Sequence, residues 1–164
     1  MRFAYLSIAA AVLAGLGCDG LNTDPTIFVD VDVLNPTVAV EEKALGTAVD
    51  GGFTMSLHLG ARAAGSSEVG VKAFELVSED QNTIIADSLP LAGKGAILPV
   101  VIEPDSDLDI EVVIDLGGDL LESEVGQKLC AFGKVRYRGA ITDSLRGTDV
   151  PVLTDPVQVT GCTP

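Results

Sequence analysis

Residues 53–61, FTMSLHLGA, carry the clearest alternation in the chain. The apolar side chains occupy every second position: Phe53, Met55, Leu57, Leu59 and Ala61. The remaining side chains are mainly polar: Thr54, Ser56, His58 and, just beyond, Arg62. Successive side chains of a β-strand point to opposite faces, so this period of two predicts a strand with one buried face and one solvated face.

The same period recurs on both sides of this segment. Further strands are predicted at 27–34, 37–40, 69–76, 82–86, 97–102, 108–116 and 127–141, and a last one covers 150–152 and 157–159 with an interruption at Pro156. Helical spacing is almost absent, apart from one predicted turn at 119–125. We therefore predict an all-β domain of about eight or nine short strands, arranged as a β-sandwich, with a small closed β-barrel as the alternative.

Glycine, proline and a change of apolar phase predict how the strands are interrupted. Asn35-Pro36 is expected to break the first strand, and Asp50-Gly51-Gly52 is expected to form a hairpin turn. The apolar phase slips by one residue before Phe74, which indicates a β-bulge. Pro99 predicts an edge position for its strand, because proline cannot donate a ladder hydrogen bond.

The first eighteen residues, MRFAYLSIAAAVLAGLGC, have the order of an export signal. A positive end at Arg2 precedes an apolar run that is shorter than the roughly 20 residues of a membrane-spanning helix. The end of this stretch, LAGLGC, resembles the lipobox of bacterial lipoproteins. The resemblance implies a signal peptide at 1–17, a diacylglycerol and acyl (palmitate-type) modification of Cys18, and a short tether at 18–25. Cleavage by the ordinary signal peptidase after Gly17 is the alternative.

The domain then covers residues 26–164. Its strand pattern resembles that of immunoglobulin-like and fibronectin-type-III-like domains, which implies an antiparallel sandwich over about Thr26 to Cys162.

Three cysteines are present. In an exported domain Cys130 and Cys162 can pair as a disulfide, which leaves Cys18 for the lipid. A redox or metal pair is the alternative, although a C-x-x-C spacing is absent from the sequence.

Composition excludes some classes of partner. The net charge of −14 repels nucleic-acid phosphates, so we expect no nucleic-acid partner. The chain has no Trp and only 4% aromatic residues, which disfavours a sugar-stacking surface.

The densest acidic set lies before and within the strand at 108–116. Glu103, Asp105, Asp107 and Asp109 supply the hard oxygens that calcium prefers, so calcium is a candidate cofactor. The alternative is that Asp107 and Asp109 form the solvated face of the strand that they enter.

Lys134, Arg136 and Arg138 alternate along one strand and form what we call the basic stripe. The stripe is a candidate docking surface for an acidic partner, and the alternative is pairing with acids of neighbouring strands. His58 is expected to be solvated or paired across strands, since no nucleophile motif accompanies it.

Two functions follow from these features. The first is a non-catalytic, lipid-anchored envelope protein on the periplasmic or outer-surface side, which gives structure or contacts an envelope protein. The second is a calcium-binding or small-ligand module. A hydrolase that uses two carboxylates is a third candidate, although no particular pair of acids is singled out by the sequence. We expect no enzyme activity and no other cofactor.

Overall fold

The computed structural model describes residues 24–162. The expected signal peptide at 1–17, the lipidation site Cys18 and most of the tether lie outside the described residues. Residues 24–29 precede the first strand and lie across one end of the domain. We call this segment the strap.

Ten strands and one helix make up the described chain. In chain order they are β1 (Asp30–Lys43), β2 (Gly46–Leu59), β3 (Ser67–Ser78), β4 (Ile84–Leu89), β5 (Leu91–Gly93), β6 (Val100–Ile102), β7 (Ser106–Ile114), α1 (Ser123–Phe132), β8 (Lys134–Asp143), β9 (Val150–Leu153) and β10 (Val157–Thr160). The all-β prediction is confirmed.

The strands form two layers that share one hydrogen-bonded sheet. Its order is β4-β3-β8-β10-β1-β2-β7-β5, with β6 beside β3 and β9 beside β8. We call β1, β2, β7 and β5 the front layer, and β3, β4, β6, β8 and β9 the back layer. Strand β10 joins them, because it pairs with β8 in the back and with β1 in the front.

The core lies between these layers and is largely aliphatic. Phe53 of the front layer contacts two back-layer rings, Phe74 and Tyr137, each with ring centroids 5.4 Å apart. The alternating apolar residues of β2 contribute Met55, Leu57 and Leu59, all of which are 1% exposed or less. The period of two in the sequence therefore identified the buried face of the central strand.

The pairing departs from the expected antiparallel sandwich of eight or nine strands. Residues 24–162 form ten strands, and β10 runs parallel to β1, with Val38 opposite Val159. A strand that pairs with both layers joins them on that side, so the architecture lies between the sandwich and the barrel that the sequence predicted.

Residues 127–141 do not form one long strand, and the expected helical turn at 119–125 falls too early. Helix α1 begins at Ser123 and ends at Phe132. Gly133 ends it in the left-handed conformation (φ 67°) and donates its N–H to the carbonyl of Leu129 at 3.0 Å. Val125 and Leu129 are four residues apart, so they can lie on one helix face, and period-two reasoning misread this spacing.

Asp50-Gly51-Gly52 is not a turn. These residues lie inside β2, and the β1–β2 hairpin reverses at residues 44–45 instead. A Cβ at Gly51 would lie 2.6 Å from the Tyr137 hydroxyl and would meet the Thr37 carbonyl. Glycine is required here by close packing between the layers and not by turn geometry.

Asn35-Pro36 bends β1 without ending it. The register with β2 shifts between Leu34 and Thr37, and Asn35 has a φ of 51°. The predicted bulge in β3 is confirmed by a register shift between Lys72 and Glu75. The predicted edge position after Pro99 is also confirmed, because β3 is the single partner of β6 among the strands that the structure describes.

Candidate functional site

The strap is bound to the front layer through His58. The Nε2 atom of His58 lies 2.6 Å from Oδ2 of Asp24, and its Nδ1 atom lies 2.7 Å from Oδ1 of Asp107 on β7. Pairing of His58 across strands is therefore confirmed. Strand β2 positions the imidazole because Thr54, Ser56 and His58 alternate with buried apolar residues and so lie on the outer face of the strand.

Gly60 makes room for the strap beside His58. A Cβ at this position would lie 2.5 Å from the carbonyl oxygen of Thr26 and 2.6 Å from Oδ2 of Asp24. Asp24 also accepts a hydrogen bond from the backbone N–H of Thr26 at 2.9 Å, which closes a local turn. The start of the strap is thus fixed by its own turn and by a close fit against the end of β2.

A second attachment holds the other end of the strap to the back layer. The N–H of Val29 donates to the carboxylate of Asp143 at 3.0 Å, and Arg146 donates to the carbonyl of Val29 at 3.3 Å. The guanidinium of Arg146 also lies 5.1 Å from the ring centroid of Phe28, a cation–π distance. The strap therefore joins both layers at one end of the domain.

The electrostatics of the two attachments follow from these contacts. Hydrogen bonds from Thr26 and then from His58 lower the pKa of Asp24 to about 2. Hydrogen bonds to Asp24 and then to Asp107 raise the pKa of His58, although partial desolvation opposes the shift. The protonated imidazole, which can donate from both nitrogens, is the form that fits both carboxylates.

Asp143 is the buried acid of the second attachment. Burial opposes its ionisation, but the Ser67 hydroxyl and the N–H groups of Val29, Arg146 and Leu145 donate to it, so its pKa lies below the usual value. The Ser67 bond is 2.7 Å long, and the Asp143 side chain is completely buried. A carboxylate with this many donors orders both the strap and the turn after β8.

The outer face of the front layer is acidic. Register places Asp30, His58 and Asp107 in one row across β1, β2 and β7. The next row holds Asp32, Ser56 and Asp109. We call these two rows the acidic face. No Lys or Arg of residues 24–162 forms an ion pair with its aspartates, and His58 pairs with Asp107.

The four candidate calcium ligands are divided between a turn and this face. Glu103 and Asp105 lie in the turn between β6 and β7, whereas Asp107 and Asp109 point outward from β7. Within residues 24–162 no group of three or more His, Cys, Asp or Glu side chains is arranged to hold a metal ion. Calcium binding stays a prediction of the sequence.

The basic stripe is engaged by acids and carbonyls of β3 and the turn after it. Arg138 contacts Glu75 at 2.6 Å, and Lys134 lies 3.9 Å from Glu79. Arg136 donates to the backbone carbonyl of Glu79 at 3.1 Å. The cross-strand pairing that the sequence offered as one alternative is therefore present, and docking of an acidic partner stays a prediction.

The Cys130–Cys162 disulfide is confirmed, with Cα atoms 5.5 Å apart. Cys130 lies in α1 and not in a strand as expected, so the bond ties the helix to the chain just after β10.

Among the described residues, Asp50, Gly51 and Gly52 line an open depression of about 500 Å³ on the front layer. None of the polar side chains that line it is buried, so its geometry does not define a ligand.

The contacts of His58 bear on its use as a catalytic base. Both ring nitrogens of His58 face carboxylates, so neither is left to take a proton from a nucleophile.

Asp24 and Asp143 were missed by the sequence analysis, because both act through contacts with residues far away in the chain: Asp143 is 114 residues from Val29. No local motif signals such a contact.

Comparison of the chain with protein-family models, with curated proteins and with solved structures finds no match. No helix within the described part of the chain combines the length and the apolar content that crossing a bilayer requires.

Proposed function

We propose that this chain is a non-catalytic lipoprotein of a bacterial cell envelope, anchored through a lipid on Cys18, which acts by contacting another envelope protein. The lipobox-like motif that ends at Cys18 supplies the chemistry of attachment. The strap connects this attachment point to both layers of the domain. The domain would face the periplasm or the outer surface.

The observation that carries the proposal is the position of the strap. Asp24 is bound to His58 only six residues after Cys18. At about 3.5 Å per residue that segment spans at most roughly 21 Å, so a lipid on Cys18 would hold the domain close to its membrane. A strap attached to both layers suits a chain that is held from its N-terminal end.

Two further features support a role in binding another protein rather than in catalysis. His58 is used to hold the strap, as its two carboxylate contacts imply. The acidic face presents aspartates in register, which favours a partner of opposite charge and fast association with it. Ion pairs to such an exposed face contribute more to specificity than to affinity.

The test is expression of the full chain in a bacterium, followed by membrane fractionation and intact mass measurement. We expect wild-type protein in the membrane fraction, with the mass of a diacylglycerol and acyl modification on Cys18. The Cys18→Ala variant should move to the soluble fraction, whereas a Thr23→Ala control in the same segment should stay with the membrane. An unmodified Cys18 in a water-soluble product would contradict the proposal.

The partner is tested separately, by crosslinking in intact cells. We expect one envelope protein to be recovered with wild type and to be lost when Asp32 and Asp109 are both replaced by Lys. An Asp87→Lys and Asp155→Lys double variant, outside the acidic face, changes the net charge equally and is the control. Equal recovery with both double variants would remove the acidic face from the proposal.

A further inference from the structure

An exposed apolar pair lies on the strap, beside the attachment to the back layer. Ile27 is 48% exposed and Phe28 is 37% exposed, although neighbouring Val29 is buried. Transfer of the exposed parts of these two side chains from water to an apolar environment would be favourable.

A cation accompanies this pair. Arg146 lies against the Phe28 ring, and its side chain is 39% exposed. An apolar pair beside a guanidinium fits the boundary between phospholipid headgroups and acyl chains, where apolar groups enter the acyl region and cations meet phosphate. We call Ile27, Phe28 and Arg146 the seating surface.

Chain length brings a lipid surface to this location. Ile27 is nine residues after Cys18. Fully extended, that segment spans at most roughly 30 Å. Because the strap is fixed to the domain, the surface at Ile27 cannot move further than this from a lipid on Cys18. Asp143 lies 3.7 Å from Arg146 but is buried. Asp24 and Asp30, at the start of the strap and just after it, would be repelled by anionic lipid, so a zwitterionic headgroup suits the surface best.

We propose that the anchored domain seats end-on on zwitterionic phospholipid through Ile27, Phe28 and Arg146. This inference rests on the proposed lipid anchor. It identifies the strap end of the domain as the membrane-facing end and leaves α1 and the disulfide at the far end. Strand β8 separates the two ends, because it starts beside Phe132 and finishes at Asp143. Its 10 residues span about 30 Å.

The chain contains no Trp, so a single introduced Trp reports on one location. The experiment places the lipidated Phe28→Trp protein in vesicles of phosphatidylcholine and phosphatidylethanolamine, with and without acyl-brominated lipid. The matched control is Phe132→Trp, which replaces a 45% exposed Phe at the far end. Ile27→Trp is the second reporter if the change at Phe28 disturbs the contact with Arg146.

We expect the emission of Trp at position 28 or 27 to shift to shorter wavelength in vesicles and to lose about half its intensity with brominated lipid. Trp at position 132 should show neither effect. A lipidated protein whose strap reporters are unquenched, or quenched no more than the control, would overturn the seating alone. A protein without lipid on Cys18, read from its mass, would overturn the anchor and the seating together.

Discussion

The hydroxyl of Tyr137 donates a hydrogen bond to the backbone carbonyl of Thr37 at 2.8 Å. The two residues lie on different layers, Tyr137 on β8 and Thr37 on β1, just after the bend at Asn35-Pro36. The bond therefore joins the layers through the core, at a point where the distorted β1 leaves a carbonyl directed inward.

Replacing Tyr137 with Phe is expected to lower the free energy of unfolding by about 1 kcal/mol, because the Thr37 carbonyl loses its donor while the ring packing is kept. Urea unfolding with unchanged cooperativity is the measurement. An unchanged unfolding free energy would mean that the hydrogen bond makes no net contribution to stability.

Burial raises the pKa of the Tyr137 phenol, so spectroscopic titration of the folded wild type should not ionise this group near pH 10.

Gly51→Ala is expected to destabilise the domain by about 2 kcal/mol, since the new methyl group would overlap the Thr37 carbonyl and the Tyr137 hydroxyl. Gly65→Ala is the matched control, because a Cβ at that position meets nothing within 4 Å. Thermal and urea unfolding of both variants test the difference. Equal free energies of unfolding for the two variants would show that the layers can move apart at this position without loss of stability.

Removing the disulfide with the double variant Cys130→Ala and Cys162→Ala is expected to lower the free energy of unfolding by about 3 kcal/mol. The reason is that the bond closes a loop between residues 32 positions apart and so restricts the unfolded chain. Wild type unfolded in the presence of reductant is the control and should match the double variant. If reduction leaves the midpoint unchanged, the bond does not stabilise the fold.

The single His of the chain permits a direct titration by NMR. We expect the midpoint of His58 to lie above 6.5 in tag-free protein, and to fall in Asp24→Asn and, by less, in Asp107→Asn. The folded state favours the protonated form, so the contribution of His58 to stability is complete below pH 6.5 and is lost as pH rises through the folded pKa. Asp155→Asn is the distant control. A midpoint at or below 6.5 would contradict the contacts with both carboxylates.

Asp143→Asn is expected to cost about 2 kcal/mol at neutral pH, because a buried carboxylate that accepts several hydrogen bonds is replaced by an amide with fewer acceptors. The folded pKa of Asp143 is lowered, so its contribution is present above about pH 3.8 and is lost as pH falls through the folded pKa. Urea unfolding at several pH values should therefore show a weaker acid dependence in this variant. Asp149→Asn, at an exposed pair with Lys72, is the control and should resemble wild type.

Some of the candidate site was available from the sequence. The alternation at 53–61 placed His58 on the solvated side of its strand, and the spacing of Asp107 and Asp109 placed both on the outer face of theirs. Neither pattern could reveal that Asp24 reaches His58, because the contact depends on the path of the strap and on the space that Gly60 leaves for it.

The all-β class, the buried face of β2, the bulge in β3, the edge position after Pro99 and the disulfide partners could all be predicted from the amino-acid sequence. Each follows from local chemistry: side-chain alternation, backbone geometry and the count of cysteines. Three features became known from the folded chain: 123–132 is a helix, Gly51 serves packing rather than a turn, and β10 joins the two layers. Those features depend on which groups meet across the core, and such contacts join residues that are distant in the chain.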